Sequence, residues 1–150
     1  MARELLSANE GLIGCLLLID FYVDRIASAW LVKNWIDKNA KFKFTPDKSY
    51  QPSENEVRYD MIDAEYTHEG DKCTFEVLIE KAELNDPALT RVGEIIHDID
   101  LKDGKYGHEE TSGIALLIQG LSATEADDLE RIRKGSEIFT NLHQIFTSQI

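Results

Sequence analysis

The sequence predicts a mainly helical α+β domain, about five helices with a small β-sheet, forming one unit over residues 1–150. Two observations carry this. Through most of the second half, apolar residues recur at helical spacing behind helix-start signals. Alternating or continuous apolar stretches fall in the first half. No internal repeat, low-complexity tract or Gly/Ser linker divides the chain.

The apolar run Gly11–Ile19 reads as a buried strand or helix of the domain, since it is far short of the ~20 residues a membrane span requires. Asp24 is placed to cap a helix from Arg25 to Lys38, with Ala27, Trp30, Leu31 and Trp35 on one face. Lys41-Phe42-Lys43-Phe44 alternates polar and apolar, the pattern of a half-buried strand, and Val57–Ile62 offers a second strand. Between them, Pro46–Asn55 reads as a loop. Thr74 can cap a short helix with Phe75, Leu78, Ile79 and Ala82 inward. Asp86-Pro87 is a strong helix start, and Leu89, Val92, Ile96 and Ile99 form its inner stripe. Lys102–His108 is a loop. The next stripe is Ile114, Leu117, Ile118 and Leu121. Thr124 and Asp127 resemble a capping box before a last helix with Leu129, Ile132, Gly135, Phe139, Leu142 and Phe146 inward.

Composition narrows the functional classes. The 16 Lys and Arg against 28 Asp and Glu give a charge of −12, with 43% hydrophobic and 29% charged residues. That is the balance of a globular chain with an acidic surface. It argues against nucleic acid as a partner of the domain by itself, because phosphate binding rests on clustered Lys and Arg. It argues equally against an anionic membrane surface. Cys15 and Cys73 stand alone, which fits a reducing, cytoplasmic setting; export is only weakly supported by the N-terminal residues.

Few positions carry chemistry. Glu110 shares a helical face with Ile114, Leu117 and Leu121, where a carboxylate must be paired, neutralised or bound to a metal; a first-turn acid at the positive end of a helix is the plainer alternative. His97 and Asp100, one turn apart, can supply two metal ligands or mark a helix end. His68 precedes the turn Glu69-Gly70-Asp71, and Cys73 and Glu76 follow at a helix start. There a thiol can be activated, or can simply fill space in the core. Arg25 can clamp an oxyanion or pair with one of the surplus carboxylates. His108 beside Glu109 and His143 beside Phe139 and Phe146 are weaker candidates, read as a loop histidine and a core-edge histidine. No GxSxG, HExxH, P-loop or dinucleotide fingerprint is present.

Several of these blocks, taken in order, resemble the chromate-resistance protein family, which includes the C-terminal domain of ChrB-type regulators and stand-alone or exported relatives. The blocks are Asp24-Arg25-Ile26-Ala27 with Trp30-Leu31, Thr67-His68-Glu69-Gly70-Asp71-Lys72-Cys73-Thr74-Phe75, Asp86-Pro87-Ala88-Leu89, Ile96-His97-Asp98-Ile99-Asp100, and Glu110 with Gly113. The likeness runs from about Val23 to about Phe146. It implies a role in tolerance to chromate or related oxyanions, and it carries over His68, Cys73, Asp100 and Glu110, with His97 fitting part of the family and Arg25 matching. Ser28-Ala29 departs from the Cys-Pro often found before the tryptophan.

The first functional expectation is a metal-binding module in which His68, His97, Asp100 and Glu110 converge on a divalent ion, Zn, Fe or Mn. Arg25, Cys73 and Glu76 would then lie near a bound group, including an oxyanion held through the metal. A small metalloenzyme with redox or hydrolytic activity at the same site is the second reading, and a purely structural interaction partner the third. A homodimer is compatible with each.

Overall fold

The computed structural model describes residues 13–16, 23–44, 51, 56–58 and 67–150. These residues are mainly helical: α1 (Val23–Leu31), α2 (Thr74–Lys81), α3 (Pro87–Leu101), α4 (Thr111–Thr124) and α5 (Asp128–Ser148). Three short strands accompany them. β2 (Lys41–Phe44) and β3 (Glu56–Arg58) each pair in parallel with β1 (Ile13–Leu16), Ile13 standing opposite Lys41 and Glu56. The expected strand at Lys41–Phe44 is therefore present, and Ile13–Leu16 resolves part of the Gly11–Ile19 run as strand. Apart from Gln51, the loop expected over 46–55 lies outside the described residues, as do residues 59–62 of the strand expected over 57–62.

Helix α1 is the centre of the packing. It touches α2, α3 and α5, and Val23, Ile26, Ala27, Trp30 and Leu31 are all buried. The helix expected to run to Lys38 instead leaves α geometry at Leu31 and continues as a wider turn over Val32–Ile36, closed by Asp37 N–H on the Val32 carbonyl at 2.8 Å. The widening has a packing reason. Positions five apart diverge around an α-helix, whereas a turn closed by an i→i+5 bond brings them together. Trp35 thus meets Trp30 edge-on with ring centroids 4.6 Å apart. The Trp30 ring also faces Phe75 and Phe139, and its indole N–H donates to Thr140 Oγ1 at 3.0 Å.

Helix α3 begins where the sequence places it. Asp86 accepts from the backbone N–H groups of Ala88 and Leu89, Pro87 takes the first helical position, and Leu89, Val92, Ile96 and Ile99 are buried. Two expectations need correction. Ile114 and Ile118 are the buried line of α4, while Leu117 is 59% exposed, so the expected stripe is rotated outward. Asp127 alone caps α5, accepting from Leu129 and Glu130 N–H; Thr124 closes α4 by donating its hydroxyl to the Gly120 carbonyl. On α5, Gly135, Phe139 and Phe146 face the core, but Leu129 is exposed. A side chain at Gly135 would sit 2.4 Å from Ile26 Cγ2, so the glycine sets how closely α5 approaches α1. Among the described residues no helix is long and apolar enough to cross a membrane.

Candidate metal centre

Asp24 is expected to cap its own helix. It does not: α1 starts at Val23, Asp24 lies in the first turn with 1% of its surface exposed, and its carboxylate turns towards another helix. Oδ2 accepts from Thr74 N–H and Oδ1 from Phe75 N–H, both at 2.8 Å, and the Ser28 hydroxyl donates to Oδ1 at 3.3 Å. A buried carboxylate thereby satisfies the first free N–H groups of α2, a charge-assisted version of an N-cap supplied from 50 residues away. Thr74, expected as that cap, is the first helical residue; Cys73 holds the N-cap position.

The turn ahead of α2 places His68 beside this carboxylate. Glu69 and Lys72 exchange backbone hydrogen bonds at 3.2 and 3.0 Å, and Gly70 takes φ +60° between them, a conformation few other residues adopt without strain. His68 Nε2 then lies 3.1 Å from Asp24 Oδ2 and 3.0 Å from Asp100 Oδ2, the latter near the C-terminus of α3. One imidazole nitrogen thus faces two carboxylates from two helices. Asp100 and then Asp24, through their hydrogen bonds, push the His68 pKa up to about 10 against the opposing effect of burial. The side chain remains 40% exposed.

A second cluster sits one turn earlier on α3. His97 is fully buried, and each of its ring nitrogens meets its own carboxylate: Nδ1 is 2.7 Å from Glu76 Oε2 and Nε2 is 3.0 Å from Asp103 Oδ2. Burial pulls the His97 pKa down, but the two carboxylates outweigh it and the net shift is upward. Glu76 also accepts from Cys73 N–H at 2.9 Å and from the Tyr106 hydroxyl at 3.0 Å. Burial, followed by the nearby Asp24 charge, raises the pKa of the Cys73 thiol, contrary to the activated thiol considered from its place at a helix start. The loop carrying Asp103 and Tyr106 is held to α3 by Asp98, whose carboxylate accepts from Tyr106 and Gly107 N–H, the latter at 2.7 Å.

The seven expected site residues therefore separate. His68 and Asp100 come together and acquire Asp24; His97, Cys73 and Glu76 come together and acquire Asp103 and Tyr106. Arg25 stands beside Asp24 on α1, half-buried. Glu110 joins neither cluster. It occupies the N-cap position of α4, and its carboxylate pairs with Arg91 at 2.5 Å. Its own backbone N–H and then Arg91 hold its pKa low, which corrects the picture of a carboxylate trapped on a core stripe. Among the weaker candidates, His108 pairs with Glu94 at 2.6 Å and His143 with Asp86 at 3.0 Å. Asp24 was legible as a cap but not as the cap of α2. Asp100 stood out in the sequence as a ligand candidate beside His97, whereas nothing in the spacing of Asp98 and Asp103 marked them as more than acids at a helix end.

Three ligand atoms of Asp24, His68 and Asp100 lie within 4.8 Å of one another, as do those of Cys73, Glu76 and His97. The chain matches the family described as ChrB, C-terminal domain, over residues 19–146. It is 31% identical over 128 residues to Protein ChrB of Cupriavidus metallidurans, an alignment covering 85% of this chain and 39% of that protein. The chain thus spans about two fifths of the length of this curated relative. No solved structure matches it. The ordered motifs, the helical frame that assembles them and the family match together make this chain a member of the ChrB C-terminal domain family.

Proposed function

We propose that the domain acts in chromate resistance as a metal-binding module, with a divalent cation held by His68, Asp24 and Asp100. Its family links it to chromate resistance, and the geometry around His68 is the observation that supports a metal. Ligands ~2.1 Å from one ion lie about 3.0 Å apart at the right angles of an octahedral site and about 3.4 Å apart at the tetrahedral angles of zinc. His68 Nε2 stands 3.1 and 3.0 Å from its two carboxylate oxygens. A proton on Nε2 can be aligned with only one of these oxygens at a time, whereas a cation interacts with both. The ligands would be mixed nitrogen and oxygen, which suits Zn, Fe or Mn and leaves further positions for water or an oxyanion.

The charge of the chain supports the same reading. A dianion such as chromate is repelled at long range by a net charge of −12, so capture at a bound cation is more favourable than capture by Arg25 alone. The elevated pKa of the Cys73 thiol weighs against the metalloenzyme reading, in which that residue would act as a redox thiol.

Metal analysis of protein purified without a histidine tag tests the proposal. One equivalent of metal more in wild type than in His68→Ala or Asp100→Asn is expected, and wild-type protein should retain chromate through desalting while those variants do not. Metal-supplemented wild-type protein with no more metal than His68→Ala would overturn it. Turnover of chromate by the loaded protein with a supplied reductant would favour the enzyme instead.

A further inference from the structure

We propose a second cation site of different chemistry, formed by Cys73 Sγ, Glu76 and His97 Nδ1 and suited to zinc or another thiophilic divalent ion. It does not depend on the His68 site. The three ligand atoms lie within 4.8 Å of one another; Cys73 and His97 are fully buried, and the Glu76 side chain is 15% exposed. Two come from the start of α2 and the third from the last turns of α3, so the contact between these helices brings them together.

The residues behind these ligands strengthen the case. A metal-ligating histidine usually donates its other ring N–H to a carboxylate, and a ligating carboxylate is itself usually hydrogen-bonded. His97 meets the first condition for an ion on Nδ1: Nε2 lies 3.0 Å from Asp103 Oδ2, which would fix the ring's tautomer and orientation. Glu76 Oε1 accepts from the Tyr106 hydroxyl at 3.0 Å, leaving Oε2 as the oxygen directed at the imidazole. The Tyr106 ring packs edge-on against His97, with centroids 5.1 Å apart.

Binding here would replace the proton between His97 Nδ1 and Glu76 and remove the thiol proton of Cys73, so two protons leave as the ion enters. Three protein ligands leave a fourth tetrahedral position. Glu76 and Tyr106 line a cleft between α2 and α3, together with Lys72, Thr90, Gly93 and Glu94, so the Glu76 side of the group borders solvent. A sulfur-containing ligand set separates this site from the nitrogen and oxygen ligands around His68.

Cobalt(II) in place of zinc provides the test, using the whole chain. Wild-type protein saturated with cobalt should show a near-ultraviolet sulfur-to-cobalt charge-transfer band. The band should persist in His68→Ala, which addresses the other site, and disappear in Cys73→Ser and His97→Ala. X-ray absorption of the zinc-loaded wild type gives a readout that needs no variant, with one sulfur expected at about 2.3 Å. Absence of the band in wild-type protein, or a band that survives Cys73→Ser and is lost in Cys15→Ser, would overturn the proposal.

Discussion

The two histidines of the candidate centre share a chemistry and differ in how it is satisfied. His97 has no exposed surface and a separate carboxylate for each ring nitrogen. His68 is 40% exposed and presents one nitrogen to two carboxylates. In the absence of a metal, the first arrangement is a complete ion triad, in which an imidazolium serves both acids. The second leaves two acids competing for one proton. The difference teaches that burial and donor count, not residue type, decide how completely an imidazole and its acids are satisfied before any ion binds.

Stability should separate them most clearly. His97→Ala removes the common partner of two carboxylates, one largely buried, and should cost about 3–5 kcal/mol. His68→Ala, at a half-exposed position, leaves Asp24 its bonds from Thr74, Phe75 and Ser28 and should cost less, about 1 kcal/mol. Denaturant unfolding of the metal-free proteins measures both, and equal losses would break the distinction.

Gly135→Ala probes the frame under the His68 cluster. Alanine favours a helix interior by about 1 kcal/mol, but its Cβ would meet Ile26 Cγ2 at 2.4 Å. Overpacking should dominate and leave a net loss of about 1–3 kcal/mol. Because α1 also carries Asp24, metal affinity at His68 should weaken while the cobalt–sulfur band at Cys73 remains. A stabilised variant would show that α5 and α1 can separate freely.

Proton linkage supplies the next effect. The folded-state pKa of His68 is raised to about 10, so its contribution to metal-free stability is complete below the unfolded value near 6.5 and is lost as pH rises through about 10. A metal at Nε2 must displace that proton. The His68-dependent part of divalent-ion affinity should therefore climb close to tenfold per pH unit between about 7 and 10, with wild type releasing one proton more than His68→Ala in calorimetry at pH 8 in two buffers. Affinity independent of pH would remove His68 from the ligand set.

A third imidazole–carboxylate pair, at the other end of α3, is the control. Burial pushes the Asp86 pKa up, but the His143 hydrogen bond and the N–H groups of Leu89 and Ala88 outweigh it and hold the pKa low. A depressed carboxylate contributes above its unfolded pKa and loses that contribution as pH falls through the folded value. Asp86→Ala should thus cost about 1 kcal/mol at neutral pH and less in acid, without changing metal content. Thermal unfolding across the acid range, with metal analysis, checks both halves.

Much of the frame is legible without coordinates because its signals are local. Asp86-Pro87 starts α3 by a bond to residues two and three positions later, and the stripe from Leu89 to Ile99 needs only helical period to be read. On α4 that same rule places Leu117 inward, yet the helix is turned so that Ile114 and Ile118 face the core. Period names the residues on a face; neighbouring helices choose which face is buried. The site divides along the same line. His68, Cys73, Glu76, His97 and Asp100 stand out as residue types near helix ends, but nothing local divides them into two clusters or sends Glu110 to Arg91.

The sequence by itself determined the mainly helical class, the start of α3, the acidic charge and the motifs that place the chain in its family. Tertiary structure decided that Asp24 caps α2 and faces His68, that His97 receives one carboxylate at each nitrogen, and that the expected ligands divide into two groups. The reason is physical. Capping and periodicity act over a few residues of one helix, whereas a shared proton or metal requires side chains within about 3 Å, a distance set by packing between segments far apart in the chain.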